Sequence, residues 1–402
     1  MNYLGPMLAF GTTAVLIILL RPVAIAIGLV DMPSARKSHK GNIPLIGGLA
    51  IFVGSFVAST THYYLIGSGL AVSTPLAVFF SAGFILLLVG VWDDYRPLPP
   101  IVRILAQISA SLIMIELGGV VLLDLGHLNL GGGLFVLGFM AVPFTIFACL
   151  GVINAMNMCD GLDGLSGSLA LISFLGFGIA NALWGDAGNQ SLIVIFAACI
   201  ISFLIFNLRT LWRSKAWVFL GDAGSMFLGI TLTWLAISMS QGEGRVITPS
   251  AALWFLMLPI YDAVSMMARR LLKRRSPFQA DNEHLHHIFL LAGFSVGESV
   301  TLMSGIAVAG VVVGLGSVYL NIPEFYVAAL FLFHGVLYFW VVRRAWRVMR
   351  FLRRSICRRS ESDRRADDRR QSDSASVYVG PERRSGVDRR THASRRSHER
   401  VG

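Results

Sequence analysis

Two aspartates interleaved with glycines, Asp160 and Asp163, lie in the stretch NAMNMCDGLDGLSG at residues 154–167, where an apolar run meets polar sequence. A carboxylate at the end of a membrane-length segment is costly unless a cation or another partner compensates it. Glycines allow a ligand to approach the backbone closely, and carboxylates bind hard cations such as Mg²⁺. The stretch therefore predicts a site for a phosphate and its metal. The alternative is a glycine-rich helix break with incidental acids.

Three more aspartates stand at the ends of apolar runs. Asp93 and Asp94 are adjacent in WDDYRPL, and Asp222 lies in VFLGDAGS just before another apolar run. Adjacent acids repel each other and oppose the dipole at a helix C-terminus, so a metal or a cationic substrate group explains the pair better than a solvated helix end. Asp222 fits two roles, as a helix N-cap or as a ligand of a hard metal.

Three histidines, His284, His286 and His287, stand within four residues in a connection that is rich in Arg. The spacing is not HExxH and no cysteine is nearby, so a zinc site is not indicated. Arginines together with imidazoles suit a phosphate-rich anion. The loop at residues 31–48 adds Arg36 and His39 as weaker phosphate-binding candidates. The alternative is that its positive charges serve only to orient the protein in the membrane, with this loop in the cytoplasm.

The elements that must position these residues are membrane helices. Hydrophobic residues make up 55 % of the chain and charged residues 14 %, with a mean hydropathy of +0.67. Apolar runs of about 20 residues, long enough to cross a bilayer, recur along the chain. We predict an all-α, polytopic integral membrane protein with about eleven transmembrane helices. These spans lie near residues 3–22, 45–66, 75–92, 101–119, 133–157, 165–184, 191–208, 223–240, 249–268, 298–319 and 324–342.

The distribution of positive charge gives the orientation. When the connections are assigned alternately to the two sides of the membrane, one side receives fourteen Lys and Arg residues and the other receives only Arg245. Positive charges concentrate on the cytoplasmic side. We therefore expect a periplasmic N-terminus, a cytoplasmic C-terminus and a site on the cytoplasmic face, since every dense polar cluster falls there.

The strongly basic C-terminal part is separate from this transmembrane catalytic domain, which we place at residues 1–342. Residues 343–402 hold 19 Arg and eight acidic residues, so this segment alone carries the net charge of +11. Residues 343–359 have the pattern of a cationic amphipathic helix lying on an anionic bilayer surface, and no nucleic-acid partner is expected. Residues 360–402 predict a disordered, Arg-rich cytoplasmic tail.

Five motifs in a fixed order carry a family resemblance: DMPSARKSHKGNIPLIGG, WDDYRPL, NAMNMCDGLDGL, VFLGDAGS and SPFQADNEHLHHIFLLAGF. Together they resemble the polyprenyl-phosphate N-acetylhexosamine-1-phosphate transferases of bacterial inner membranes. The resemblance implies that undecaprenyl phosphate attacks a UDP-sugar, releases UMP and begins the synthesis of a surface polysaccharide such as O-antigen. It also implies a Mg²⁺ cofactor, with Mn²⁺ as a substitute, and a homodimer.

The resemblance also implies roles for the residues. Asp222 would bind Mg²⁺, with Asp93 and Asp94 beside the metal and the lipid phosphate, and Asp93 would act either as a base or only in positioning. Asp163 would contact the uracil and Phe219 would stack on it. The remaining nucleotide-sugar-binding residues implied are Asn157, Asp160, His284, His286 and His287.

The donor sugar is less well defined than the reaction. Tyr95 and Arg96 follow the aspartate pair, whereas the branch that uses UDP-MurNAc-pentapeptide has a lysine two residues after it. The resemblance therefore favours UDP-GlcNAc, with a C4-epimerised or deoxygenated UDP-N-acetylhexosamine as the alternative. A transporter or flippase for a lipid-linked sugar is the alternative of a different class, and it predicts polar residues near the bilayer midplane.

Overall fold

The computed structural model describes residues 3–31, 42–65, 74–129, 133–185, 187–210, 213, 215–274 and 284–348. Arg36, His39 and the tail beyond residue 348 lie outside the described residues, so their roles stay predictions. The described part forms thirteen α-helices: α1 (Leu4–Ile27), α2 (Gly47–Tyr63), α3 (Thr74–Tyr95), α4 (Pro100–Glu116), α5 (Ala141–Met158), α6 (Leu165–Trp184), α7 (Ala187–Asn207), α8 (Gly221–Ser240), α9 (Pro249–Phe255), α10 (Met257–Leu272), α11 (Leu285–Leu291), α12 (Val296–Tyr319) and α13 (Glu324–Val348).

The polytopic, helical fold predicted from the sequence is confirmed. Eight helices are long and apolar enough to cross a membrane, and the α9–α10 pair would make a ninth span with a bend of 83°. The helices α2 and α4 have 17 residues each and coincide with two further predicted spans. The total of eleven spans and the orientation of the termini remain predictions.

Helix starts follow local chemistry. Ser295 begins α12 with a capping box, because its hydroxyl accepts from Glu298 N while the Glu298 carboxylate accepts from Ser295 N. Thr248 is the N-cap of α9, where its hydroxyl accepts from Ala251 N, and Pro249 takes the first helical position. Gly221 opens α8 at a φ of +76°, a conformation that residues with a side chain rarely adopt. A short antiparallel pair, β1 (Val30–Asp31) and β2 (Ile43–Pro44), follows α1.

Helix α8 is the centre of the bundle, because 94 % of its most apolar 18-residue stretch is buried inside the protein. It packs against α2, α3 and α5. A Cβ at Gly48 of α2 would lie 2.2 Å from Gly224 N, so these two helices approach each other at backbone contact. The N-terminus of α8 is therefore held firmly among the ends of its neighbours.

Stacked and edge-on phenylalanine rings fill the space around the middle of α8. Phe227 lies 4.9 Å from Phe52 and 5.7 Å from Phe196, measured between ring centroids. Phe196 also lies 5.5 Å from Phe174 in a parallel stack and 5.8 Å from Phe79 at a right angle. These separations are those of favourable aromatic pairs. We call these five rings the phenylalanine core.

The C-terminal end of α8 lies near a second polar cluster, which ties loops together. Arg245 Nη2 donates to Glu324 Oε1 at 2.7 Å, and Arg245 Nη1 lies 3.9 Å from Asp124 Oδ1. His127 N donates to the other oxygen of Glu324 at 3.0 Å. Because α8 has 20 residues, about 30 Å separates this cluster from Asp222 at the other end of the helix.

Candidate active site

The site is built around the N-terminus of α8, whose first amides donate hydrogen bonds to Asp94. Asp94 Oδ1 accepts from Asp222 N at 2.8 Å, and Asp94 Oδ2 accepts from Ala223 N at 3.3 Å. The first amides of a helix lack partners within the helix and carry partial positive charge, so a carboxylate is a good acceptor for them. Asp94, at the end of α3, therefore caps a helix that is distant in sequence.

Asp93 is buried and paired with a cation. Its Oδ1 accepts from Leu98 N at 2.6 Å, and its Oδ2 lies 3.1 Å from Nη1 of Arg103 on α4. The Oδ2 atom is buried and accepts no hydrogen bond from the described residues. A buried carboxylate needs such a compensating charge. Arg103 thus sets the charge balance beside the predicted metal.

Asp222 is half-buried at the second position of α8 and faces α5. Asn157 Nδ2 donates to Asp222 Oδ1 at 2.6 Å and to Ser225 Oγ at 3.0 Å. The carboxylates of Asp222 and Asp93 are neighbours. Three carboxylates from α3 and α8 therefore come together with the side-chain amide of Asn157 from α5, whose N–H groups donate to Asp222 and Ser225.

The α5–α6 connection carries Asp160 and Asp163 with different environments. Asp163 is buried, and its Oδ2 accepts from Arg209 Nε at 2.7 Å and from Ala216 N at 3.1 Å. Asp160 is exposed as a residue, yet loss of hydration at its carboxylate raises its pKa to about 8, with a further contribution from the charge of Asp222. Asp163 thus binds the loop to the residues that follow α7, whereas Asp160 is exposed and lies close enough to Asp222 to feel its charge.

The histidine segment reaches this same connection. A Cβ at Gly161 would lie 2.5 Å from His286 Nε2, so the ring lies directly against the glycine. His286 is 2 % exposed, and burial lowers its pKa to about 3, followed by the charges of His287 and His284. It is therefore neutral near pH 7. His287 is half-buried, with its ring centroid 4.2 Å from that of His286.

Phe219 is fixed by its backbone. Its N–H donates to Pro44 O at 2.8 Å, and its carbonyl accepts from Gly47 N at 2.9 Å. The half-buried ring thus stands just before α8, on the wall formed with β2 and the start of α2. Two backbone hydrogen bonds therefore hold the backbone of Phe219, the predicted stacking residue, in place.

Comparison with known proteins identifies the family of the chain. The family model of glycosyl transferase family 4 matches residues 76–240. These residues run from α3 to the end of α8 and include all five candidate aspartates. The chain is 35 % identical over 346 residues to the undecaprenyl-phosphate alpha-N-acetylglucosaminyl 1-phosphate transferase of Escherichia coli strain K12, covering 85 % of this chain and 91 % of that protein. The chain belongs to glycosyl transferase family 4.

Two other family 4 members are similar over the same extent. The transferase of the same name from Yersinia pestis is 38 % identical over 339 residues, covering 83 % of this chain and 89 % of the relative. The one from Haemophilus influenzae is 37 % identical over 342 residues, covering 84 % and 93 %. The similarity therefore includes the histidine segment, which lies beyond the matched family region.

Among the described residues of this family 4 protein, the structure brings most of the predicted site to one end of the bundle. Asp93, Asp94, Asn157 and Asp222 form one group. The other group joins the α5–α6 connection to the histidine segment through the contact of Gly161 with His286. The roles predicted for these residues toward metal, uracil and phosphate remain predictions.

Sequence reasoning overlooked Arg103 and Asp262. Arg103 was counted only as a positive charge, yet it pairs with Asp93 across the α3–α4 turn. Asp262 is fully buried in α10 and contacts His284. An acid inside a membrane-length apolar run is costly and marks a functional or structural site, so a signal for Asp262 was present in the sequence.

Proposed function

We propose that the protein transfers N-acetylglucosamine 1-phosphate from UDP-GlcNAc to undecaprenyl phosphate. An oxygen of the lipid phosphate bonds to the sugar-linked phosphorus of UDP-GlcNAc as the bond from that phosphorus to the bridging oxygen breaks. The products are undecaprenyl-diphospho-GlcNAc and UMP. The observation that carries the proposal is the convergence of Asp93, Asp94, Asp222 and Asn157 at one end of a membrane bundle, in a chain so similar to transferases of this name.

The donor set supports Mg²⁺ as the cofactor. The carboxylates of Asp93, Asp94 and Asp222 come together, while Asp93 Oδ2 is paired with Arg103 and the Asn157 amide donates to Asp222. Hard oxygen ligands are the ones that Mg²⁺ and Mn²⁺ prefer. Asp222 would hold the ion, with Asp93 beside it. When bound, the ion would neutralise charge on the phosphates during transfer.

The protein residues do the positioning. Asn157 orients the Asp222 carboxylate through a 2.6 Å hydrogen bond, and Asp94 fixes the α8 backbone that carries it. Arg103 balances the charge of Asp93 until a substrate phosphate arrives. Phosphoryl transfer depends mainly on positioning and charge neutralisation, so this set is sufficient without a covalent intermediate.

The nucleotide side is formed by the α5–α6 connection, Phe219 and the histidine segment. Phe219, whose backbone is fixed by hydrogen bonds, suits stacking on uracil. Asp163 contacts Ala216, three residues before Phe219. His284, His286 and His287 would contact the diphosphate or the sugar. Since His286 is neutral, it would act through hydrogen bonds and not through charge.

An apolar cavity supports access for a lipid chain. It measures about 300 Å³ and is lined by side chains of α5, α8, α9 and α13, among them Phe144, Ala148 and Val152 of α5. Val152 stands five residues before Asn157, about 7.5 Å along the helix. Part of the polyprenyl tail would then lie in this cavity, after a stretch of about 16 Å or more along α8 from a phosphate near Asp222 to the wall at Thr233, Ala236 and Ile237.

The test is to incubate purified protein with undecaprenyl phosphate, Mg²⁺ and a panel of UDP-sugars, and to measure UMP release. We expect UDP-GlcNAc to be preferred, and Asp222→Asn to abolish release while the protein stays folded. Absence of UMP from every donor would contradict the proposed reaction, and preference for a C4-epimerised or deoxygenated donor would change the sugar only. EDTA should stop the reaction, and Mg²⁺ or Mn²⁺ should restore it.

We also propose that the site faces the cytoplasm from the inner membrane. The basic residues Arg96, Arg103 and Arg209 all belong to the end of the bundle that carries the candidate site, as the positive-inside rule requires. Single cysteines introduced at position 96 and at position 243, in a background without exposed thiols, should differ in labelling. An impermeant maleimide added to intact spheroplasts should label position 243 only; the reverse pattern would invert the topology.

A further inference from the structure

Asp262 is a fully buried carboxylate in α10 that is satisfied by three donors. His284 Nδ1 lies 2.9 Å from Asp262 Oδ2. Leu285 N and the hydroxyl of Tyr338 both donate to Oδ1 at 3.1 Å. Burying a carboxylate is costly unless it is paired and hydrogen-bonded, so these contacts hold α10, α11 and α13 together at one point.

We propose that Asp262 and Tyr338 are positioning residues that fix the ring orientation and the Nδ1–H tautomer of His284. An ionised carboxylate only accepts hydrogen bonds, so the His284 nitrogen that faces it must carry a proton. Nε2 is then the ring nitrogen left for a ligand. The His284 ring is also held in a near-parallel stack on His286, with centroids 5.3 Å apart and planes 12° apart.

The network links membrane helices to the nucleotide side of the site. Tyr338 comes from α13 and Asp262 from α10, whereas His284 directly precedes α11. His284 stacks on His286, which touches Gly161 of the α5–α6 connection. The position of the His284 ring therefore depends on two side chains that do not belong to the loops predicted to bind substrate. This inference rests on the proposed function for its kinetic consequences, but not for its structural ones.

A bound metal is the competing explanation for the same cluster. Ligand atoms of Asp262, His284 and His286 lie within 4.8 Å of one another. Two ligands of a tetrahedral ion with bonds of about 2.05 Å would stand about 3.3 Å apart. The 2.9 Å between His284 Nδ1 and Asp262 Oδ2 is shorter and fits a direct hydrogen bond. We therefore favour positioning over metal binding.

The decisive variant is Asp262→Asn, because the amide keeps the shape of the side chain but can turn an N–H toward His284. It would then favour the tautomer with the proton on Nε2. Nitrogen-15 NMR of protein labelled only at histidine reads the tautomer, with the His284 signals assigned by their loss in His284→Gln. We expect a change from Nδ1–H to Nε2–H in Asp262→Asn, and no change in Asp124→Asn, a matched loss of an acid at the opposite end of the bundle.

The kinetic measurements separate positioning from a general loss of structure. We expect kcat for UMP release to fall about 10- to 100-fold in Asp262→Asn, as for other partners that orient a functional histidine. Tyr338→Phe removes one hydrogen bond to Asp262 and should lower kcat about fivefold. This variant replaces Asp262→Asn in the kinetic test if Asp262→Asn does not fold. Asp124→Asn should keep wild-type turnover.

Each outcome has a defined meaning. An unchanged His284 tautomer in folded Asp262→Asn, or wild-type kcat in both Asp262→Asn and Tyr338→Phe, would overturn the inference. A stoichiometric transition metal in the purified wild-type protein that is lost in Asp262→Asn would overturn it in favour of a metal site. If the wild-type protein released no UMP, the proposed function would fail, while the NMR result would still decide the inference.

Discussion

Substitutions of Asp94 and Asp222 are predicted to have different effects on stability and activity, although both are aspartates of the same site. Asp94 accepts hydrogen bonds from two amides at the start of α8, whereas the Asp222 side chain accepts from Asn157 only among the bonds described. Asp94→Ala should therefore lower both stability and activity. Asp222→Asn should lower activity alone, because its amide oxygen can still accept from Asn157.

The size of the stability effect follows from the two lost acceptors. Each buried amide left without a partner costs about 1–3 kcal/mol, and the half-buried position of Asp94 argues for the lower end, so about 2 kcal/mol is expected. For a domain of 150–250 residues, about 1 kcal/mol shifts Tm by about 2–4 °C, and the shift is smaller for a longer chain. Asp94→Ala should thus lower the apparent Tm by about 3 °C, and Asp94→Asn by about half of that.

The assay pairs thermal unfolding in detergent with UMP release. Asp222→Asn should keep the wild-type Tm within about 1 °C and lose about 10³-fold or more of turnover, since several kcal/mol of charge stabilisation depend on it. Ser295→Ala is the matched control, because it removes the N-cap of α12 away from the chemistry. It should lower the Tm and leave turnover unchanged. A wild-type Tm for Asp94→Ala would refute the capping argument.

Three further predictions follow from the site and the tail. Arg103→Gln leaves the buried carboxylate of Asp93 without its cation, so the apparent Tm should fall by several degrees and UMP release about tenfold or more; wild-type values for both would rule out the pair. The pKa of His286 is about 3 in the folded protein and about 6.5 when unfolded, so the unfolded state binds more protons between these values and stability is lost as the pH falls through this window. The Tm of His286→Gln should therefore decline less than that of wild type between pH 6.5 and 5, and parallel curves would contradict the burial argument. Deleting residues 360–402 should leave turnover near wild type, and a large loss measured by UMP release would show that the tail contributes to the site.

The sequence was sufficient to predict a bundle of membrane-length helices with the candidate aspartates near their ends. Apolar runs of membrane length are a strong signal because no other fold exposes them at low cost. The bend between α9 and α10 was not predicted, although Pro259 lies three residues into α10. Proline lacks an amide hydrogen and is tolerated in the first turn of a helix, so a helix start just before it was a readable alternative to a straight span.

The partners of the site residues were harder to predict. Asp94 caps α8 from 128 residues away, and Asp163 pairs with Arg209 across 46 residues. Hydrogen bonds over such separations depend on how helices pack, and apolar periodicity does not specify that packing. Asp222 shows the result: its candidate role as an N-cap is taken by the carboxylate of Asp94, which accepts from the Asp222 amide.

The phenylalanine core has a consequence for the membrane around the protein. Its rings occupy the interior of the described bundle between Asp222 at one end of α8 and the Arg245 cluster at the other. Moving an ion or a sugar phosphate between these rings would cost many kcal/mol, because phenylalanine side chains cannot replace the lost hydration. The phenylalanine core is therefore expected to act as an electrical barrier along α8.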